Sequence, residues 1–133
     1  MGSMPYAALV MNDSKDFAAP DRSAAATAMA TGERVNNRAI AISADGKPIK
    51  SIIELAREYG RATGLVTDAN LTDPTSAAFY AHTSEPSDTE KIAAEFVDRG
   101  NIDIAMGGGA AQFIPSTKGG ERQDTRDLLL ELR

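Results

Sequence analysis

"KPIKSIIELAREYGRATGLVT", residues 47–67, decides the fold class. Its first half carries Ile49, Ile52, Ile53, Leu55, Ala56 and Tyr59, which fall mostly on one face of a helix with 3.6 residues per turn. This spacing predicts a helix over residues 48–59, opened by Pro48 and ended by Gly60. Gly64-Leu65-Val66-Thr67-Asp68 then reads as a strand. A helix that feeds a strand across a glycine-bounded turn is the repeating unit of an α/β protein.

The alternation continues in both directions. Upstream, the apolar run at residues 6–11 is a candidate strand and the polar residues 12–19 a loop. Pro20-Asp21 opens a helix that Gly32 closes. Residues 38–43 read as a strand ended by the turn Asp45-Gly46. Downstream, residues 74–82 read as a short helix. Ser87-Asp88-Thr89-Glu90 reads as a capping box before Ile92, Ala93, Phe96 and Val97, with Gly100 as terminator. Residues 102–106 form another strand candidate, running into Gly107-Gly108-Gly109. A Gly- and Lys-rich loop follows at residues 116–122, and Asp124 caps a last helix through Leu128 and Leu132. No internal repeat is present. The expected architecture is three or four mostly parallel strands with five or six helices packed on them, in a single domain over residues 5–133. Met1-Gly2-Ser3-Met4 reads as a cloning scar. The last helix stops at Arg133 without a capping glycine, the pattern of a partial, truncated domain.

Composition narrows the function. Hydrophobic residues make up 42% of the 133, so a core is feasible, but aromatics are only 5% and the core must draw on Ala, Ile, Leu, Val and Met. A net charge of −5 argues against nucleic acid as a partner and is compatible with a bound cation. The lack of cysteine excludes disulfides, thiolate chemistry and Cys-ligated zinc. No apolar run reaches membrane-spanning length, and no signal-peptide pattern is present.

"APDRSAAATAMATG", residues 19–32, carries two readings. One is a capped, alanine-rich helix in which Asp21 or Ser23 satisfies the free N–H groups of the first turn. The other is a nucleophile motif, because a helix start favours phosphate groups and developing negative charge. Arg22 is out of place on either reading, since a cation there opposes the helix dipole unless it pairs with an acid or holds an anion.

Asp21, Ser23-Ala24, Thr27-Ala28 and Thr31-Gly32 resemble the nucleophile segment of the alkaline phosphatases. The likeness continues through Asn36-Asn37 and residues 39–42, through residues 47–67, and through "LTDPTSAAFYAHTS" at residues 71–84. It ends with "IDIAMGGGAAQFIP" and "DTRDLLLEL" in the same order. The resemblance implies a three-layer α/β fold and a mechanism in which two zinc ions activate a serine that takes the phosphoryl group. It also implies an arginine clamp on the phosphate, a supporting magnesium ion, and a periplasmic or secreted location.

The departures are specific. Counting back from Thr27, the nucleophile register falls on Arg22, and Ser23 is one residue, about 100° of helix, away. Asp73 and Thr75 match the carboxylate and hydroxyl ligands of the magnesium site, and both are hard oxygen donors. Asp73-Pro74-Thr75 is equally a good helix start. Glu85-Pro86 stands where the clamping arginine is expected, and the zinc ligands of the family lie outside the resembling segments. The only histidine, His82, reads as a packed residue, and the glycine triplet as a structural turn.

Two readings follow. In one, Ser23 is the nucleophile and Asp21 touches the substrate, a small phosphate ester. In the other, the chain is a degenerate phosphatase-like domain that keeps the fold and a weak cation or anion site without turnover. An uncovered sheet edge on a partial domain predicts self-association into a homo-oligomer.

Overall fold

The computed structural model describes residues 11–133. The suggested scar at residues 1–4 and, apart from Met11, the candidate strand at residues 6–11 lie outside the described residues.

Helix α1 (Arg22–Thr31) starts at Asp21, whose carboxylate accepts from the Ala24 N–H, and ends at Gly32, whose φ of 75° supplies the left-handed stop. Helix α2 (Ile52–Glu58) is shorter than the periodicity predicts. Its start is fixed by a reciprocal capping box: Ser51 accepts from the Glu54 N–H while the Glu54 carboxylate accepts from the Ser51 N–H. Strand β1 (Gly64–Asn70) follows, then α3 (Pro74–Ala77), α4 (Thr89–Arg99), β2 (Ile104–Gly108) and α5 (Leu128–Glu131). The fold is α/β. β1 and β2 pair in parallel, Gly64 opposite Ile104 and Val66 opposite Met106, with a register shift before Asn70 meets Gly108. α3 and α4 lie between the two strands in sequence, the connection that parallel pairing requires.

Several local expectations give way. Residues 38–43 form no strand. Arg38 and Ala41 take φ values of 67° and 44°, which break an extended run, and only isolated bridges survive, Ile40 with Thr83 and Ile42 with Pro48. The sheet therefore has two strands among the described residues, where three or four were expected. α3 stops at Ala77, so His82 lies beyond the helix. The cap of α4 is Asp88, accepting from the Lys91 N–H, and not Ser87. Asp127, not Asp124, caps α5. Asp124 instead pairs with Arg122, which is 1% exposed and also donates to the carbonyls of Glu90 and Gln112.

The core gathers Ala26, Ala30, Ile40, Ala77, Ala81, Ile92, Ala93 and Leu128 around three aromatics. Tyr80 and Phe96 meet edge to face at 5.1 Å, and Phe96 and Phe113 at 5.7 Å. Few as they are, the aromatics form the spine of the core, against the expectation of a purely aliphatic one. Small residues then let the backbones approach, with the alanines of α1 lying against those of α3. The glycine triplet is a packing device. A Cβ on Gly107 would sit 2.8 Å from Thr67 Cγ2 and 2.9 Å from Leu71 Cδ2.

α1 is anchored to the segment beneath it by one buried hydroxyl. Thr27 Oγ1 donates to the Ala39 carbonyl at 3.2 Å and accepts from the Ala41 N–H at 3.0 Å. Thr27→Val keeps the shape and strands both backbone groups. We expect it to cost about 1–3 kcal/mol, the penalty for buried unsatisfied polar groups, read as a lower urea midpoint at unchanged slope.

Candidate functional site

The site is built from the first residue before α1. Asp21 Oδ1 accepts from the Ala24 N–H at 2.8 Å, and Oδ2 accepts from the Arg38 N–H at 2.8 Å. Its own N–H donates to Asn37 Oδ1 at 2.9 Å. One carboxylate thus joins the helix start to the Asn37-Arg38 turn and leaves neither oxygen without a partner inside the fold. Arg38 is a cleft-lining residue that the sequence reading missed. Taken as the first residue of a strand, it instead has a positive φ and lines the same cleft as Arg22. The adjacent Asn36-Asn37 pair, a typical site for left-handed turns, was the available signal.

Arg22 Nη1 donates to Asp73 Oδ2 at 2.9 Å. Asp73 Oδ1 in turn accepts from the Thr75 N–H at 3.0 Å, capping α3. The ion pair therefore links the starts of α1 and α3. The Arg22 side chain is 74% exposed and that of Asp73 20%. Ser23, the next residue, is only 2% exposed. Asp21, Arg22, Ser23 and Arg38 line an open cleft of about 380 Å³, closed on its other side by Pro74, Pro86 and Ser87. The Arg38 guanidinium stands 4.0 Å from the Glu85 carboxylate at the rim. The structure brings the predicted residues Asp21, Arg22 and Ser23 together. It ties Asp73 to them through Arg22 and leaves Thr75 exposed beyond.

Segments far apart in sequence, the helix start at residues 21–23, Arg38, Pro74 and the Pro86-Ser87 pair, thus converge on one cleft. The same segments carry the likeness to known proteins. The family model described as alkaline phosphatase matches residues 1–133. The chain belongs to the alkaline phosphatase family. It is 36% identical over 106 residues to alkaline phosphatase 4 of Bacillus subtilis, covering 76% of this chain and 23% of that protein. To alkaline phosphatase 3 of the same organism it is 36% identical over 118 residues, covering 85% and 24%. A variant of the alkaline phosphatase of the Antarctic bacterium TAB5, solved with magnesium bound in its M3 site, superimposes with a TM-score of 0.81 at 34% identity. That match covers 91% of this chain and 33% of the other. The chain spans about a quarter of the length of the curated relatives it matches.

Within this alkaline phosphatase segment, the residues present do not fit a magnesium ion. Magnesium requires near-octahedral oxygen ligation. The Asp73 oxygens already serve the Thr75 N–H and Arg22, whose guanidinium lies at hydrogen-bond distance. Among the described residues no group of three or more His, Cys, Asp or Glu is placed to hold a metal.

His82 is buried, as the packed reading has it. Its Nδ1 lies 2.8 Å from the Ala41 carbonyl and its Nε2 3.1 Å from Glu54 Oε1, which Arg99 also approaches at 3.3 Å. Burial pushes the Glu54 carboxyl up. The Ser51 N–H, the His82 ring and the Arg99 guanidinium outweigh it and hold the group below the usual glutamate range. A lowered carboxylate stabilises the fold above its unfolded value of about 4.3, and this contribution is lost as pH falls through the lower folded value. Glu54→Gln should therefore lower stability at neutral pH and flatten the acid limb. Urea midpoints followed downward from about pH 5 test this.

Proposed function

We propose that this chain is an alkaline-phosphatase-family α/β module whose cleft receives a small phosphate-class anion and does not turn a phosphate ester over. The observation that carries the reading is the cleft itself, in which Arg22 fills the nucleophile register beside Arg38 while Ser23 is 2% exposed. Arg38, held only loosely by the exposed Glu85 carboxylate, stands with the positive end of α1 at the cleft, and a guanidinium beside a helix start favours an anion. A serine nucleophile needs an exposed oxygen and a base or metal within reach. Ser23 offers little surface, and the only histidine of the chain has both ring nitrogens against Ala41 and Glu54.

The net charge of −5 argues against nucleic acid as the partner. Among the described residues no helix is long and apolar enough to cross a membrane. Val66, Ile104 and Met106 stand exposed on the sheet, which supports self-association into a homo-oligomer. The family likeness supports a periplasmic or secreted location.

Two assays test the reading. Inorganic phosphate should bind in calorimetry, and Arg38→Ala should weaken it about tenfold, the worth of one charge-assisted contact. p-Nitrophenyl phosphate with added Zn²⁺ and Mg²⁺ should not be hydrolysed. Hydrolysis that Ser23→Ala abolishes would overturn the reading and make Ser23 a working nucleophile.

A further inference from the structure

We propose that the Arg22 guanidinium takes the place of a divalent cation at Asp73, so that a tethered charge, not a metal ion, joins the starts of α1 and α3 in this chain. This goes beyond the phosphate reading and is tested separately, because it concerns the Asp73 carboxylate and not the anion.

The location of Arg22 is the first observation. A cation in the first turn of α1 opposes the helix dipole, so the position is unfavourable without a compensating acid. Asp73 is that acid, 51 residues away in sequence and 2.9 Å away in space. The second observation is the state of the carboxylate. Oδ1 is held by the Thr75 N–H and Oδ2 by Arg22 Nη1, so Asp73 is both a cap and an ion-pair partner. An arriving divalent cation would face the guanidinium at short range, where like charges repel most strongly. The third is the ligand inventory. Among the described residues no group of three or more His, Cys, Asp or Glu is placed for a metal, and residues 1–10 contain none of these residue types, so a cation at Asp73 would rest on one carboxylate and water, held weakly enough for a single guanidinium to exclude it. A guanidinium suits such a position. It needs one good acceptor and tolerates solvent on its other nitrogens, whereas magnesium demands a full oxygen shell.

The experiment is a titration of the intact chain with Mn²⁺, observed by NMR, since paramagnetic broadening registers even weak binding. In the wild-type chain the amide signals of Asp73 and Thr75 should broaden no more than other exposed amides. In Arg22→Gln the same signals should broaden selectively, several-fold more than in the wild type, and adding Asp73→Asn should abolish the effect. Asp21 remains to cap α1 in these variants, so the helix start is kept. Arg22→Lys, which retains a cation, should stay as closed to Mn²⁺ as the wild type. Selective broadening in the wild type would overturn the proposal, because the metal would then bind beside Arg22. Unchanged Asp73 and Thr75 signals in Arg22→Gln, or opening in Arg22→Lys, would overturn it equally. Neither phosphate binding nor ester hydrolysis enters these outcomes, so a failed phosphate reading leaves them intact.

Discussion

The Asp21 carboxylate is the constraint on which the cleft depends. It terminates α1 at one oxygen and pins the Arg38 backbone at the other, and its own N–H reaches Asn37. Three bonds from one residue make the helix start and the following loop a single body. Thr27, further along the same helix, repeats the attachment to Ala39 and Ala41. Between these two attachments the loop follows α1 with left-handed residues at Arg38 and Ala41. The two arginines facing the cleft are therefore consequences of a cap, and their spacing is set by backbone hydrogen bonds.

That arrangement explains which parts of the molecule were legible in the sequence. α1, α4, β1 and β2 could be read because caps, glycine stops and apolar periodicity are local signals. The Gly32 and Gly100 stops sit where the sequence puts them, and of its two candidates for the α1 cap, Asp21 and Ser23, the helix uses Asp21. Residues 38–43 were misread because alternating Ala and Ile fits a strand, while the tertiary bonds to Thr27 and Asp21 impose positive φ. α2 was drawn too long because hydrophobic spacing ignores caps: Ile49 fits the helical face, yet Ser51 and Glu54 start the helix after it. In the cleft, the special registers of Arg22 and Asp73 were visible through the family likeness. Their contact was not, because nothing local announces a bond across 51 residues.

The alkaline phosphatase family relationship gives the backbone, and the side chains then rewrite the electrostatics. Each positive group at the cleft has a carboxylate in company, Arg22 with Asp73 and Arg38 with Glu85. The first pair is close and partly shielded, so it acts as structure. The second is long and exposed on both sides, and exposed pairs of this kind contribute little. The cleft therefore has one fixed charge pair and one loosely held arginine. Arg38 is the group best able to change partners when an anion arrives.

Arg122 has a consequence of a different kind. Its guanidinium lies inside the protein and spans the backbone of Gln112, the carbonyl of Glu90 in α4 and the side chain of Asp124. Surface loops in most domains accept added or deleted residues, because their ends are fixed and their middles are free. The loop from Gln112 to Asp124 is also fixed within its own span, at Arg122 close to its end. Lengthening it on either side of Arg122 would move a buried charge away from its acceptors, so this stretch, with the Lys118-Gly119-Gly120 run of a permissive loop, is under the length constraint of a core element.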